Sequence, residues 1–212
     1  MSLKLVIFDM DGVLVDACGW HKDALNEALE EICGYVIPDQ EHYSTFNGLP
    51  TRTKLHKLTE MGIIAADRHE LVSELKQEKT IDIIEKRARR DESKIELIRW
   101  LKDKEIITAC FTNSISKTAI LMLKKVGAHD LLDCLVTNQD VQNPKPDPEG
   151  YLKILEIFNC SAGNTMIVED SPKGLAAAHA SGCSVMEVKN SKQVTKNTVE
   201  DYINENFNSH GG

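Results

Sequence analysis

Four short polar clusters each carry residues able to do chemistry, and three of them directly follow apolar runs. Asp9-Met10-Asp11-Gly12 comes after Leu5 to Phe8, and Thr112-Asn113-Ser114 after Ile107 to Phe111. Lys145 stands between Pro144 and Pro146, in the loop after a third apolar run, and Glu169-Asp170 follows Met166 to Val168. In an open parallel sheet, ligands bind outside the carboxyl ends of the strands, so all four clusters are expected to converge on one edge. Convergence would crowd the carboxylates of Asp9, Asp11, Glu169 and Asp170, which cannot all ionise in a partly dry cleft unless cations sit among them. Lys145 is one such cation and a divalent metal the natural second. A hard, all-oxygen donor set suits Mg²⁺, which keeps several waters and prefers to share its shell with a phosphate.

The elements that must position these residues are legible as short Val- and Ile-rich runs alternating with segments of helical period, the pattern of parallel strands joined by crossover helices. Five strands are expected, at Leu3 to Phe8, Ile106 to Phe111, Leu132 to Thr137, Thr165 to Val168 and Ser184 to Val188. Helices are expected at Ser116 to Val126, Pro148 to Phe158 and Pro172 to Ser181. Asp147 and Ser171 serve as N-caps ahead of a first-turn proline, and Gly127 and Gly182 suit helix ends. A last amphipathic helix should follow Thr198, with Val199, Tyr202, Ile203 and Phe207 on its stripe, and Asn208 to Gly212 should fray.

Nearly a hundred residues separate Phe8 from Ile106, far more than a single crossover needs. An inserted unit explains the gap. Apolar stripes at Ala24, Leu25, Ala28, Leu29, Ile32 and Cys33, at Leu55, Leu58 and Met61, and at Leu71, Val72 and Leu75 make it all-helical. The crossover helix is then Ser93 to Lys104, with Ile95, Ile98 and Leu101 facing the sheet. The reading is an α/β chain with a doubly wound, Rossmann-like core in residues 1–16 and 91–212, and a helical cap in residues 17–90.

Composition narrows the function classes. Among 212 residues, 33 acidic against 25 basic side chains leave a net charge of −8, which on average repels a long phosphate backbone and argues against nucleic acid as main partner. The basic run Lys86-Arg87-Ala88-Arg89-Arg90 reads better as a charged hinge segment than as a nucleic-acid patch. The apolar run after Met1 is too short for a signal peptide or a membrane span. Six cysteines without a Cys-x-x-Cys pair are expected as reduced thiols in a cytoplasmic protein, which should be a monomer or weak dimer.

In this order and spacing the four clusters resemble the haloacid dehalogenase superfamily, specifically its phosphatase and phosphomutase branch with a helical cap after the first strand. Asp9-Met10-Asp11-Gly12-Val13-Leu14-Val15-Asp16 looks like the first family motif, and Thr112 like the second. Lys145 in Lys-Pro-Asp-Pro looks like the third, and Glu169-Asp170-Ser171-Pro172-Lys173-Gly174 like the fourth. The resemblance implies that Asp9 attacks phosphorus and that Asp11 acts as general acid, then base. It further implies that Asp9, the Asp11 carbonyl and Asp170 hold Mg²⁺, with Glu169 as a ligand or just behind one, while the Thr112 hydroxyl, the Asn113 N–H and Lys145 meet phosphoryl oxygens. Asp11 separates phosphoryl transfer from dehalogenation, because a departing halide needs no proton.

Within that branch the insert decides. His21 stands where beta-phosphoglucomutases carry a histidine, and Gly48 resembles the start of their substrate loop, so His21, Gly48 and Arg52 are candidate substrate contacts. The arginine expected three residues after that glycine is instead Thr51, with Arg52 one place late, and the lysine expected after the second motif is Ile115. A Mg²⁺-dependent phosphatase acting on a small phosphate ester is therefore the expectation. A phosphomutase and a non-catalytic phospho-acceptor remain the alternatives.

Overall fold

The computed structural model describes residues 2–46 and 49–207. Gly48 and the tail expected to fray lie outside the described residues. Along the chain run β1 (Leu5–Phe8), α1 (Cys18–Cys33), α2 (Asp39–Glu41), a π-helical turn at His42–Phe46, α3 (Thr51–Glu60), α4 (His69–Arg87), α5 (Glu92–Asp103) and β2 (Ile107–Phe111). There follow α6 (Ser116–Val126), β3 (Cys134–Val136), α7 (Glu149–Phe158), β4 (Thr165–Glu169), α8 (Pro172–Ala180), β5 (Ser184–Glu187) and α9 (Lys196–Asn206). The chain divides into two compact units, Met1–Asp16 with Arg89–Gly212, and Ala17–Ala88.

The first unit is built on a parallel sheet in the order β3-β2-β1-β4-β5. Leu5 pairs with Ile107 on one side and Thr165 on the other, and Phe8 with Cys110 and Val168. The central strand reads Leu-Val-Ile-Phe, buried throughout, because helices cover both faces and no residue of it needs to meet water. On one face Leu5, Ile7, Phe111 and Ile167 pack with Tyr151 and Ile154 of α7 and Ala177 and Ala178 of α8. Burying each such large apolar side chain is worth about 1.5–3 kcal/mol. Since β1 lies between β2 and β4, the chain winds outward in both directions from it, and the carboxyl ends of β1, β2 and β4 adjoin.

Local chemistry moves several expected boundaries. The crossover helix starts earlier, at Glu92, because the Asp91 carboxylate accepts from the Ser93 and Lys94 N–H groups. Helix α9 begins at Lys196 rather than after Thr198: Thr195 is its cap, and Thr198 sits three residues inside, closing a reciprocal pair of bonds. Ser171 caps α8 as expected, accepting from Gly174 N–H. Pro148, not Asp147, holds the cap position of α7, and Asp147 accepts from Glu149 N–H from one residue further out. Strand β3 is shorter than its apolar run, since Asp133 turns its carboxylate onto Thr108 N–H before the ladder begins. Gly127, at φ 82°, ends α6 as expected.

The second unit is helical. Leu25, Ala28 and Leu29 of α1 pack with Phe46, Leu55, Leu58 and Val72, and ion pairs Lys79–Glu31 and Arg87–Asp23 join α1 to α4. Three residues assigned to apolar stripes face outward instead. Met61 is 49% and Leu71 46% exposed, and Cys33 is also exposed. Met61 and Cys33 sit where their helices stop, past the last turn that packs. The five described cysteines Cys33, Cys110, Cys134, Cys160 and Cys183 are free thiols. Among the described residues no helix is long and apolar enough to cross a membrane.

Candidate active site

Asp9 extends the β1 ladder by one bond, donating its N–H to the Val168 carbonyl, and this pins its side chain at the carboxyl edge between β2 and β4. The chain then folds back sharply, with the N–H groups of Leu14 and Val15 both reaching the Met10 carbonyl. Gly12 makes that turn at φ 91°, and a Cβ on it would overlap the Asp170 carboxylate. Glycine here serves both the backbone conformation and the close approach of a functional side chain.

Asp11 turns its carboxylate toward the loop after β2. Its Oδ2 accepts from Ser114 Oγ at 3.1 Å and from Thr112 Oγ1 at 3.4 Å, while Thr112 Oγ1 accepts from Ser114 N–H. These hydroxyls could equally have capped α6. The helix starts instead from Ile115 with no side-chain cap.

Lys145 is held at both its ends. Its backbone N–H donates to Asn113 Oδ1 at 3.0 Å and its carbonyl accepts from Asn113 Nδ2 at 3.2 Å. Its Nζ donates to Asp9 Oδ1 at 2.6 Å and to Glu169 Oε1 at 2.7 Å. Lys145 is 4% exposed, Asp9 7% and Glu169 0%. The other Glu169 oxygen accepts from the N–H groups of Asp170 and Ser171 and from Ser171 Oγ. Gly174, in the first turn of α8, leaves the space that the Glu169 carboxylate fills.

Burial raises the Asp9 carboxyl well above the usual aspartate range; Lys145 opposes that, while Glu169, Asp11 and Asp170 add to it. Asp170 is pushed up to about 7, first by burial and then by Glu169 and Asp11. Burial also works against the charge on Lys145, yet its acidic neighbours, Asp9 foremost, hold it well above an ordinary lysine. Two carboxylates, Asp9 and Glu169, thus share one ammonium, and burial, with the neighbouring negative charges adding to it, raises Asp9 and Asp170. Asp9, Glu169 and Asp170 each offer an oxygen within 4.8 Å of the others and could hold a metal ion. This donor set is hard oxygen only, which suits a cation such as Mg²⁺.

Seven of the expected residues therefore meet in the sheet unit: Asp9, Asp11, Thr112, Asn113, Lys145, Glu169 and Asp170. The Asn113 side chain also bonds the Lys145 backbone, which the sequence did not suggest. Glu169 offers itself to a metal while already accepting several protein donors. His21 lies in α1 and Arg52 in α3 of the helical unit. Sequence reasoning missed Lys76, which is 7% exposed and places Nζ 3.4 Å from His21 Nδ1, because fifty-five residues separate the pair. It also missed Ser114 as a partner of Asp11 and Tyr151 as a neighbour of Lys145. The position of Tyr151 on the apolar stripe of α7 marks it only as core.

The family model described as haloacid dehalogenase-like hydrolase matches residues 6–188. A phosphorylated carbohydrates phosphatase from Thermotoga maritima is 29% identical over 181 residues, covering 85% of this chain and 82% of its own. Validoxylamine A 7'-phosphate phosphatase from Streptomyces hygroscopicus subsp. limoneus is 26% identical over 189 residues, covering 84% and 82%. The crystal structure of beta-phosphoglucomutase from Clostridium difficile superposes with a TM-score of 0.79 at 21% identity over 96% of this chain and 98% of that one, a likeness of fold.

Proposed function

Because the chain belongs to the haloacid dehalogenase-like hydrolases, we propose that it is a Mg²⁺-dependent phosphatase that hydrolyses a small phosphorylated metabolite through an aspartyl-phosphate on Asp9. The observation that carries this is Lys145, buried and bonded to Asp9 and Glu169, beside an Asp11 oriented by Thr112 and Ser114.

In the first step a bond forms between an Asp9 oxygen and phosphorus as the ester P–O bond breaks, and Asp11 passes its proton to the departing alcohol oxygen. In the second, Asp11 takes a proton from water as that water attacks phosphorus, and the Asp9–phosphorus bond breaks to release inorganic phosphate. Negative charge spreads over the equatorial oxygens in both transition states. In this mechanism the Lys145 ammonium, the Thr112 hydroxyl and the Asn113 N–H at the end of β2 would meet it. Mg²⁺ held by Asp9, Asp170 and the Asp11 carbonyl, with Glu169 beside them, would add positive charge at one of those oxygens.

A sugar phosphate is the substrate class we favour, in keeping with the phosphorylated carbohydrates named for the Thermotoga maritima relative. Our candidates for substrate selection are His21 and Arg52 of the helical unit. The departures at Thr51 and Ile115 from the phosphomutase pattern favour hydrolysis over transfer. Inorganic phosphate release across a panel of sugar, nucleotide and short acid phosphates, with EDTA as control, tests the proposal. Faster interconversion of glucose phosphates than phosphate release would replace it with a mutase.

A further inference from the structure

Lys145 has aromatic neighbours as well as acidic ones. Its Nζ lies 4.8 Å from the centre of the Phe111 ring and 5.0 Å from that of Tyr151. The two rings meet edge to face with centroids 4.9 Å apart, and both are fully buried. Phe111 is the last residue of β2 and Tyr151 lies in the first turns of α7, so strand and helix each supply one wall. Room for Phe111 comes from Gly150, where a Cβ would fall among the ring atoms. Tyr151 also reaches the other partner of the lysine. Its Oη donates to Glu169 Oε1 at 3.4 Å, the same oxygen that accepts from Lys145. An ammonium beside aromatic rings in dry surroundings is attracted to their negative faces, more strongly than at a wet surface. A lysine stem has four rotatable carbons, and rings beside its ammonium restrict the swing that two ion pairs alone would permit.

We propose that Tyr151, together with Phe111, is a positioning residue for phosphoryl transfer, its ring fixing the Lys145 ammonium between Asp9 and Glu169 before substrate arrives. It acts through Lys145 and touches no reacting atom. The proposal rests on the phosphatase reading, and its test separates the two. Tyr151→Phe keeps the ring and drops the hydroxyl, and fluorinated phenylalanines at position 151 then drain electron density from the ring face at nearly constant volume. We expect kcat of Tyr151→Phe to stay within about threefold of wild type and to fall stepwise with fluorination by about tenfold, while KM and the thermal midpoint move little. In parallel, ¹⁵N NMR of the substrate-free protein follows the Lys145 Nζ resonance, which should shift with each fluorination step. A kcat indifferent to fluorination, with an unmoved Lys145 resonance, would overturn the proposal and leave Tyr151 as core packing. If wild-type protein released phosphate from no ester, the phosphatase reading would fall, and the resonance alone would still decide whether the ring positions the lysine.

Discussion

Asn113 bonds both backbone polar groups of Lys145, donating to its carbonyl and accepting from its N–H, so the loop after β2 fixes the loop after β3. The ammonium that meets Asp9 is thus set by a side chain thirty-two residues away. Asn113→Ala removes both bonds and should cost about 1–3 kcal/mol of stability in urea unfolding. It should also lower kcat more than it raises KM, because in the proposed mechanism Lys145 meets charge that develops in the transition state. Unchanged kcat in Asn113→Ala would mean that Pro144 and Pro146 hold the loop unaided.

Gly12 approaches Asp170 too closely to carry a side chain. Gly12→Ala should displace the Asp170 carboxylate and weaken Mg²⁺ binding at least about tenfold by titration calorimetry. Gly174→Ala should act in the same way on Glu169, and through it on Lys145. Wild-type Mg²⁺ affinity in both variants would remove these carboxylates from any metal site.

Lys94 provides a contrast, as a buried cation with no place in the chemistry. It is 2% exposed, and its Nζ donates at 2.8 Å to the carbonyls of both Ser191 and Val194, tying α5 to the segment before α9. Lys94→Met strands those carbonyls and should cost about 2–4 kcal/mol. Activity per folded molecule should stay at the wild-type level. A kinetic defect in the folded variant would show that this segment bears on catalysis.

His42 makes the helical unit sensitive to acid. Its pKa is lowered to about 4, first by burial and then by Lys54 and Lys22, with Asp39 and Asp23 opposing. Above the unfolded value of 6.5 both states are neutral and nothing is lost. As pH falls from 6.5 toward 4 the unfolded chain takes a proton that the folded one resists, so the unfolding free energy declines across that window. His42→Phe should flatten this part of the stability–pH curve. An equally steep curve in the variant would assign the acid sensitivity to other groups.

Much of this was legible in the sequence for one physical reason. In a doubly wound sheet the carboxyl ends of strands are where loops meet, so a polar residue directly after an apolar run announces its own location, as Asp9, Thr112 and Glu169 do. Lys145 was readable because prolines bracket it. Side chains whose roles depend on distant partners were not readable in the same way. Tyr151 sits on an ordinary helical stripe, Lys94 looks like any polar residue in a first turn, and Lys76 meets His21 only once α1 and α4 pack together. Helix starts also slipped where two capping residues compete at short spacing, as Thr195 and Thr198 do.

The central claim concerns which atom captures phosphorus, and borohydride trapping during turnover tests it most directly. Reduction of an acyl phosphate converts the aspartate to homoserine, which peptide mass spectrometry locates. We predict homoserine at position 9, dependent on substrate and absent in Asp9→Asn. Steady phosphate release with Asp9 unmodified, or with the label on another carboxylate, would contradict the account.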